Sequence, residues 1–320
     1  MLGGQASPYE EKGQWRITAN YRWQKSDRHF RGIHEEPIRQ EEGSEVINRV
    51  HLFDLATTYA LSERTNVSLS VPVVFSNRSQ AIRNSSREVI GRFSTEASGL
   101  GDISLVGRRW MFDTKTHPDR NVSLGLGIKF PTGREDVTDT FVTGANTGTA
   151  VRTVDQSIQP GDGGWGAILD VQGFKSIGSR LMLHGAGTYL FNPRATNGVP
   201  TFRGRAAEAV MSVADQYLLR VGISAPLARQ RAVSGSLSAR MEGVPVRDAF
   251  GSSEGFRRPG YALSIEPGLV FSRGKGAVSI SVPIAWKRNR QQSVPDKIDD
   301  SIGDAAFADY VVLTGYSYTF

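Results

Sequence analysis

Alternation of apolar and polar side chains with period two recurs along the whole chain, and this repetition limits the fold more than any other feature. QWRITANYRW (14–23) sends Trp15, Ile17, Ala19, Tyr21 and Trp23 to one face and Arg16, Thr18, Asn20 and Arg22 to the other. NVSLGLGIKF (121–130) repeats the pattern with Val122, Leu124, Leu126, Ile128 and Phe130 against Ser123, Gly125, Gly127 and Lys129. Successive side chains leave opposite faces of a pleated strand, so each such segment predicts a half-buried β-strand.

Twelve strands are expected, near 14–23, 47–61, 66–76, 101–113, 121–130, 164–176, 180–192, 217–224, 233–242, 260–272 and 277–288, with the last ending at Phe320. Segments of roughly 10 to 16 residues suit tilted strands that cross a bilayer. Turns at Ser62–Thr65, Ile177–Ser179 and Arg273–Lys275 are tight. The connections around 31–45, 77–98, 132–163, 192–204, 247–259 and 289–303 are long and polar. Short connections on one side and long ones on the other are how an outer-membrane barrel is built.

Alternation alone fits a soluble sandwich as well, so the faces have to be told apart by what they carry. Large aromatics (Trp15, Trp23, Tyr59, Phe75, Phe130, Tyr189, Phe191, Trp286, Phe320) sit near the ends of the apolar faces, as membrane-interface girdles do. The polar faces mix small residues with charges of both signs. Arg16, Arg22, Lys129, Asp170, Glu208, Arg220, Arg240, Glu242, Glu266 and Lys287 are the candidates for lining a lumen and setting its selectivity. The expected fold class is all-β: a transmembrane, antiparallel up-and-down β-barrel of about twelve strands. Residues 13–320 form the single barrel domain, after a periplasmic segment, 1–12.

Composition agrees. A mean hydropathy of -0.31 is compatible with a barrel, whose lumen-facing polar residues cancel its lipid-facing apolar ones. No apolar run reaches the roughly 18 to 20 residues of a spanning helix. Glu10, Glu11 and Lys12 stand where a signal peptide needs an apolar stretch, so the chain reads as a mature protein of the bacterial outer membrane without its leader. The absence of Cys excludes disulfides and thiolate metal sites. The net charge of +6 comes from 30 Arg and 8 Lys scattered along strands and loops, so no nucleic-acid partner is expected.

TYALSERTNVSLSVPVVFS (58–76), GLGDISLVGRRWMF (99–112) and LGLGIKFPTG (124–133) resemble hairpins of the bacterial family of transporters of the MetA pathway of phenol degradation. Members show a strand ending in Pro, a Gly-Leu-Gly-Asp strand start and a Pro-Thr-Gly strand exit. The resemblance runs over about 47–133, thins afterwards and returns at the terminal GYSYTF. There Tyr316, Tyr318 and Phe320 resemble the signal read by the outer-membrane assembly machinery. It implies an outer-membrane barrel with a transport role.

Catalytic chemistry finds little footing. The five histidines occur as HFR, HEE, HLF, HPD and HGA, without the His-x-Ser pair used by the barrel phospholipase. Glu135, Asp136, Asp139, Asp155 and Asp162 in the 132–163 loop match no calcium-loop spacing, and no metal or cofactor is expected. The acidic stretch 34–45 can pair with Arg78, Arg83, Arg87 and Arg92, or those arginines can meet lipopolysaccharide phosphates. Twelve strands lie between a filled eight-stranded barrel and an open sixteen-stranded porin. The expected function is therefore passive, non-enzymatic passage of small anionic or aromatic solutes through a constricted charged lumen, with the 132–163 loop as a candidate plug. The alternative is a closed structural or binding barrel that holds a partner protein or surface ligand.

Overall fold

A computed structural model describes residues 9–178, 180–227 and 232–320. The described residues form twelve staves: β1 (Trp15–Arg31), β2 (Ile47–Ser62), β3 (Thr65–Arg83), β4 (Val89–Leu100 continued by Ser104–Trp110), β5 (Arg120–Lys129), β6 (Gly166–Ile177), β7 (Leu181–Phe191), β8 (Gln216–Pro226), β9 (Val233–Val244), β10 (Gly260–Arg273), β11 (Gly276–Ser281 continued by Ile284–Arg290) and β12 (Ala305–Thr319). Each pairs antiparallel with its neighbours in sequence, and β12 returns to β1 in a register from Arg16 opposite Thr319 to Phe30 opposite Ala305. The sheet is closed, so its backbone N–H and C=O groups are satisfied within the wall, as a structure crossing a bilayer requires.

Burial settles which face meets what. On the outer surface Leu126 is 73% exposed and Trp286 63%, in a band with Leu124, Leu169, Leu219, Leu237 and Leu269. On the inner surface Arg240 is 2% exposed and Glu266 1%. An apolar exterior around a charged interior inverts the soluble pattern and suits surroundings of lipid.

The tight turns fall at one end with Trp15 and Phe320, and the long connections fall at the other. The 177–179 turn includes Ser179, which lies outside the described residues, and only residues 9–12 of the expected N-terminal segment are described. One expected loop proves to be strand: β3 runs to Arg83 and β4 begins at Val89, paired from Arg78 opposite Thr95 to Ile82 opposite Gly91. This hairpin mixes polar residues with scattered Ile82, Ile90 and Phe93, so its ladder persists while the regular hydrophobic period that would announce it is broken.

Two staves are interrupted. β4 breaks at 101–103 beside Pro72, and β11 breaks at Val282–Pro283, where proline cannot donate to a ladder. The long connections add two small hairpins, Thr138–Thr143 with Gly148–Thr153 and Thr196–Pro200 with Val210–Ser212. A short helix, Val294–Ile298, is closed by a capping box between Ser293 and Asp296.

Leu124→Arg, mid-strand on the outer face, should destabilise the barrel refolded in phospholipid vesicles by about 2–4 kcal/mol. Denaturant titration of tryptophan fluorescence measures this, and the loss should shrink in detergent, where no fixed hydrocarbon slab opposes the charge.

Candidate functional site

Inward-facing charges collect at two levels of the barrel. At the upper level, Arg22 of β1 donates to both carboxylate oxygens of Glu242 of β9, at 3.0 and 3.2 Å. Four strand steps around the wall separate these staves, so the pair is a chord across the lumen. Arg240 donates to Glu242 at 2.7 Å and lies 3.4 Å from Glu266, which is also 3.5 Å from Arg220. Arg220 and Arg240 stand directly opposite each other across β8 and β9, and Glu266 keeps the two guanidiniums from facing one another uncompensated.

Below that level lies a lumenal cavity of about 590 Å³, extending to the mouth at the tight-turn end. Arg108 of β4 donates to Asp170 of β6 at 2.7 Å, past the intervening β5, and Thr188 donates to the other Asp170 oxygen at 3.0 Å. The contact skips a strand because Gly125 sits between them; a Cβ there would lie 3.0 Å from Arg108 and 3.1 Å from Asp170. Asp54 accepts from Asn20 at 3.2 Å and from Ser70. At the mouth Arg16 pairs with Glu10 at 2.7 Å.

The Gly-Leu-Gly-Asp and Pro-Thr-Gly segments meet at the break in β4. Asp102 accepts from the backbone N–H of Gly133 at 3.0 Å and of Asp162 at 3.3 Å. Thr132 donates to the Gly101 carbonyl and accepts from Ile103 N–H. Gly133 and Gly161 touch backbone to backbone, leaving no room for a side chain at either. Lys129 closes the junction by ion pairs to Asp162 and, at 3.4 Å, to Asp102. The motif thus anchors both ends of the 132–163 connection.

Four connections cap the long-loop end. Asp155 accepts two hydrogen bonds from Arg258, at 2.8 and 2.7 Å, and lies 3.5 Å from Arg78, which joins the 132–163 and 244–260 loops to the wall. Burial opposes its charge, yet the Arg258 and Arg78 guanidiniums hold its carboxyl well below the usual carboxylate range. Arg258 and Arg203 stack on the Phe256 ring at 4.6 and 4.3 Å. Gln156 donates to the Ser212 carbonyl, and Arg205 reaches Asp296 at 3.5 Å, adding the 191–216 and 290–305 connections. Asp304 is likewise held low: burial raises its carboxyl, but His29 and Arg39 more than reverse that.

Two candidates from the sequence are corrected. Lys287 is exposed and stands opposite the outward-facing Leu263, because a bulge at Trp286 shifts the register and turns Arg288 inward instead. Glu208 is buried in a short 3₁₀ turn of the 191–216 connection rather than on a strand, 3.9 Å from Arg205. Arg16, Arg22, Lys129, Asp170, Arg220, Arg240, Glu242 and Glu266 are all ion-paired at inward positions, the first with Glu10 of the N-terminal segment. Arg83 and Arg92 pair with Glu42 and Glu45 of the acidic stretch, at 3.9 and 3.4 Å, whereas Arg78 turns to Asp155. Reading the sequence missed Arg108, although its spacing by two from Val106 and Trp110 marks the inward face. It also missed Asp54, although its place between Phe53 and Leu55 marks the inward face, and Arg258 and Tyr9, which carry no local signal; for Asp155 the loop spacing gives no hint of its arginine partners.

Asp155→Ala should loosen the cap by about 3–5 kcal/mol by leaving buried guanidiniums uncompensated. Hydrogen exchange at 154–158 measures this. Because the folded-state carboxyl is depressed, its contribution is full above the unfolded value near ~4 and is lost as pH falls through the folded value. Protection in the parent should therefore hold at pH 5 and fail only in strong acid, while the variant lacks that acid step.

Residues 72–172 match the family described as "Putative MetA-pathway of phenol degradation". No curated protein matches the sequence. Among solved structures, an outer membrane channel from Pseudomonas putida F1 is similar over 99% of this chain and 100% of its own, at 11% identity and a TM-score of 0.63. The translocator domain of autotransporter NalP from Neisseria meningitidis gives 13% identity over 97% of this chain and 90% of its own, with a TM-score of 0.45. The P. putida toluene transporter TodX gives 10% over 97% and 90%, with a TM-score of 0.44. The closed wall, the inverted faces and the match to the P. putida barrel make the chain a transmembrane β-barrel that resembles, over residues 72–172, the family of the MetA pathway of phenol degradation.

Proposed function

We propose that the protein is a passive, non-enzymatic channel for small anionic or aromatic solutes, gated by its cap and selected by paired charges in its lumen. The observation that carries this reading is the cavity of about 590 Å³ inside the closed wall, between the Arg22–Glu242 chord and the mouth at the tight-turn end. That volume falls within the roughly 300–1,000 Å³ of small-molecule sites. Arg16, Arg108 and Arg220 face it together with Asp54 and Asp170, and Ser and Thr side chains fill the gaps between. Guanidiniums of this kind offer forked hydrogen bonds to a carboxylate and a flat cation to an aromatic ring. The similar P. putida barrel is described as an outer membrane channel, which supports the same reading.

A second reading rests on the chord and the cap themselves: a barrel held shut by such pairs is a closed binding or structural protein. In either case the outward Tyr316, Tyr318 and Phe320 serve as the signal for the assembly machinery. The exposed Arg87 then lies at the lipopolysaccharide level.

Planar-bilayer recording under a salt gradient separates the two. Steady conductance is expected, with a reversal potential favouring anions. Replacing Arg220 and Arg240 together by Ser leaves Glu242 and Glu266 in excess and should move the reversal potential toward cation selectivity. An unchanged potential would remove both arginines from the conduction path, and silent, folded barrels would favour the closed reading.

A further inference from the structure

The N-terminal segment does not simply lead into β1. Tyr9 enters the mouth at the tight-turn end and lines the same cavity as Arg108 and Asp170. Its ring stands edge to face with Trp110 at 5.3 Å and with Phe174 at 5.8 Å, and those two are themselves T-shaped at 5.8 Å. Its hydroxyl donates to the His117 carbonyl at 2.6 Å and accepts from the Asn121 amide at 3.0 Å.

The pocket that receives Tyr9 is formed by residues of the staves and of the connection between β4 and β5. Trp110 ends β4, Phe174 lies on β6, and Asn121, opposite Phe174 in the β5–β6 register, is 2% exposed. Asn121 is fixed by backbone partners: its Oδ1 accepts from Phe112 N–H at 3.1 Å and Val122 N–H at 2.9 Å, and its amide donates to the Phe112 carbonyl at 2.9 Å. With its oxygen engaged twice, the amide's orientation is set and a donor points at the hydroxyl. The His117 carbonyl provides the matching acceptor. Two aromatic walls, one donor and one acceptor at the far end describe a receptor for an aromatic ring bearing one hydroxyl.

A tyrosine side chain is a para-alkylated phenol. We propose that the mouth carries a binding site for phenols and that Tyr9 occupies it as the chain's own competitor. The site recognises the ring by edge-to-face contacts. It recognises the hydroxyl as donor and acceptor at once, so it rejects an aryl ether, which cannot donate to the His117 carbonyl, and a phenolate for the same reason. Tyr9 is tethered to β1 by a few residues, and its neighbour Glu10 is held by Arg16 at 2.7 Å and Asn66 at 2.9 Å. A tethered competitor acts at an effective concentration of about millimolar or more, so a free phenol enters only when abundant. A phenol in the pocket adjoins the lumenal cavity; its passage onward rests on the channel reading above, whereas its binding does not.

The test is ¹⁹F NMR of 4-fluorophenol and 4-fluoroanisole with the refolded full-length barrel in detergent micelles. Tyr9 precedes the first strand, so Tyr9→Ala leaves every ladder bond in place, and heat-modifiable mobility on gels verifies folding. Saturable binding of 4-fluorophenol is expected in Tyr9→Ala, about tenfold or more tighter than in the parent. It should be absent for 4-fluoroanisole and lost in Tyr9→Ala/Phe174→Ala. The proposal is overturned by folded Tyr9→Ala that shows no saturable binding, by equal affinity in parent and variant, or by equal binding of the anisole. Bilayer recording of the same variant keeps the two readings apart. Saturable binding with silent bilayers upholds the site and removes the channel; conductance without binding does the reverse.

Discussion

The seam between β1 and β12 is the constraint on which the rest depends. Hydrogen-bonded from Arg16–Thr319 to Phe30–Ala305, it removes the two edges that an open sheet would expose to hydrocarbon, where unpaired N–H and C=O groups cost several kcal/mol each. Once the sheet is closed, one face of every strand must look inward and the other must meet the surroundings. Large apolar side chains fill the outer face, and the charges have only the inside to occupy.

Those interior charges determine the shape of the lumen. At inward positions with so little exposure an uncompensated guanidinium or carboxylate is costly, and these charges are held in pairs. The partners come from wherever the wall brings them: Arg22 from across the barrel, Arg108 from two strands away. The same pairs that neutralise the interior narrow it, and the cavity survives below them where Ser, Thr and Gly leave room. Gly125 shows how local this balance is, because a side chain at that position would press on both Arg108 and Asp170.

Breaks in the wall have an equally specific purpose. The strand expected over 101–113 begins only at Ser104, after an interruption at 101–103 where Asp102, Thr132 and Lys129 tie the start and end of a long connection to one point. The cap that this connection helps to form is held by Asp155, whose partners Arg258 and Arg78 lie about a hundred and eighty positions apart in sequence. Such loops pack against one another through polar side chains, and no periodicity foretells it. The β3–β4 hairpin above the apolar band was illegible for a related reason: its few apolar residues, Ile82, Ile90 and Phe93, are too scattered among polar ones to mark it as strand.

What the amino-acid sequence determined by itself is the set of staves, their number, the face each turns outward, and the side of the wall on which its loops are long. All of these follow from period-two alternation and turn chemistry, which are local. Only the tertiary structure decided which inward charges meet, where the long connections go, that a one-residue bulge at Trp286 sends Lys287 outward, and that Tyr9 folds back into the mouth. The physical reason is that closure sets distances between residues far apart in the chain. Arg22 and Glu242, separated by 220 positions, become neighbours through the curvature of the wall and through no pattern that either carries.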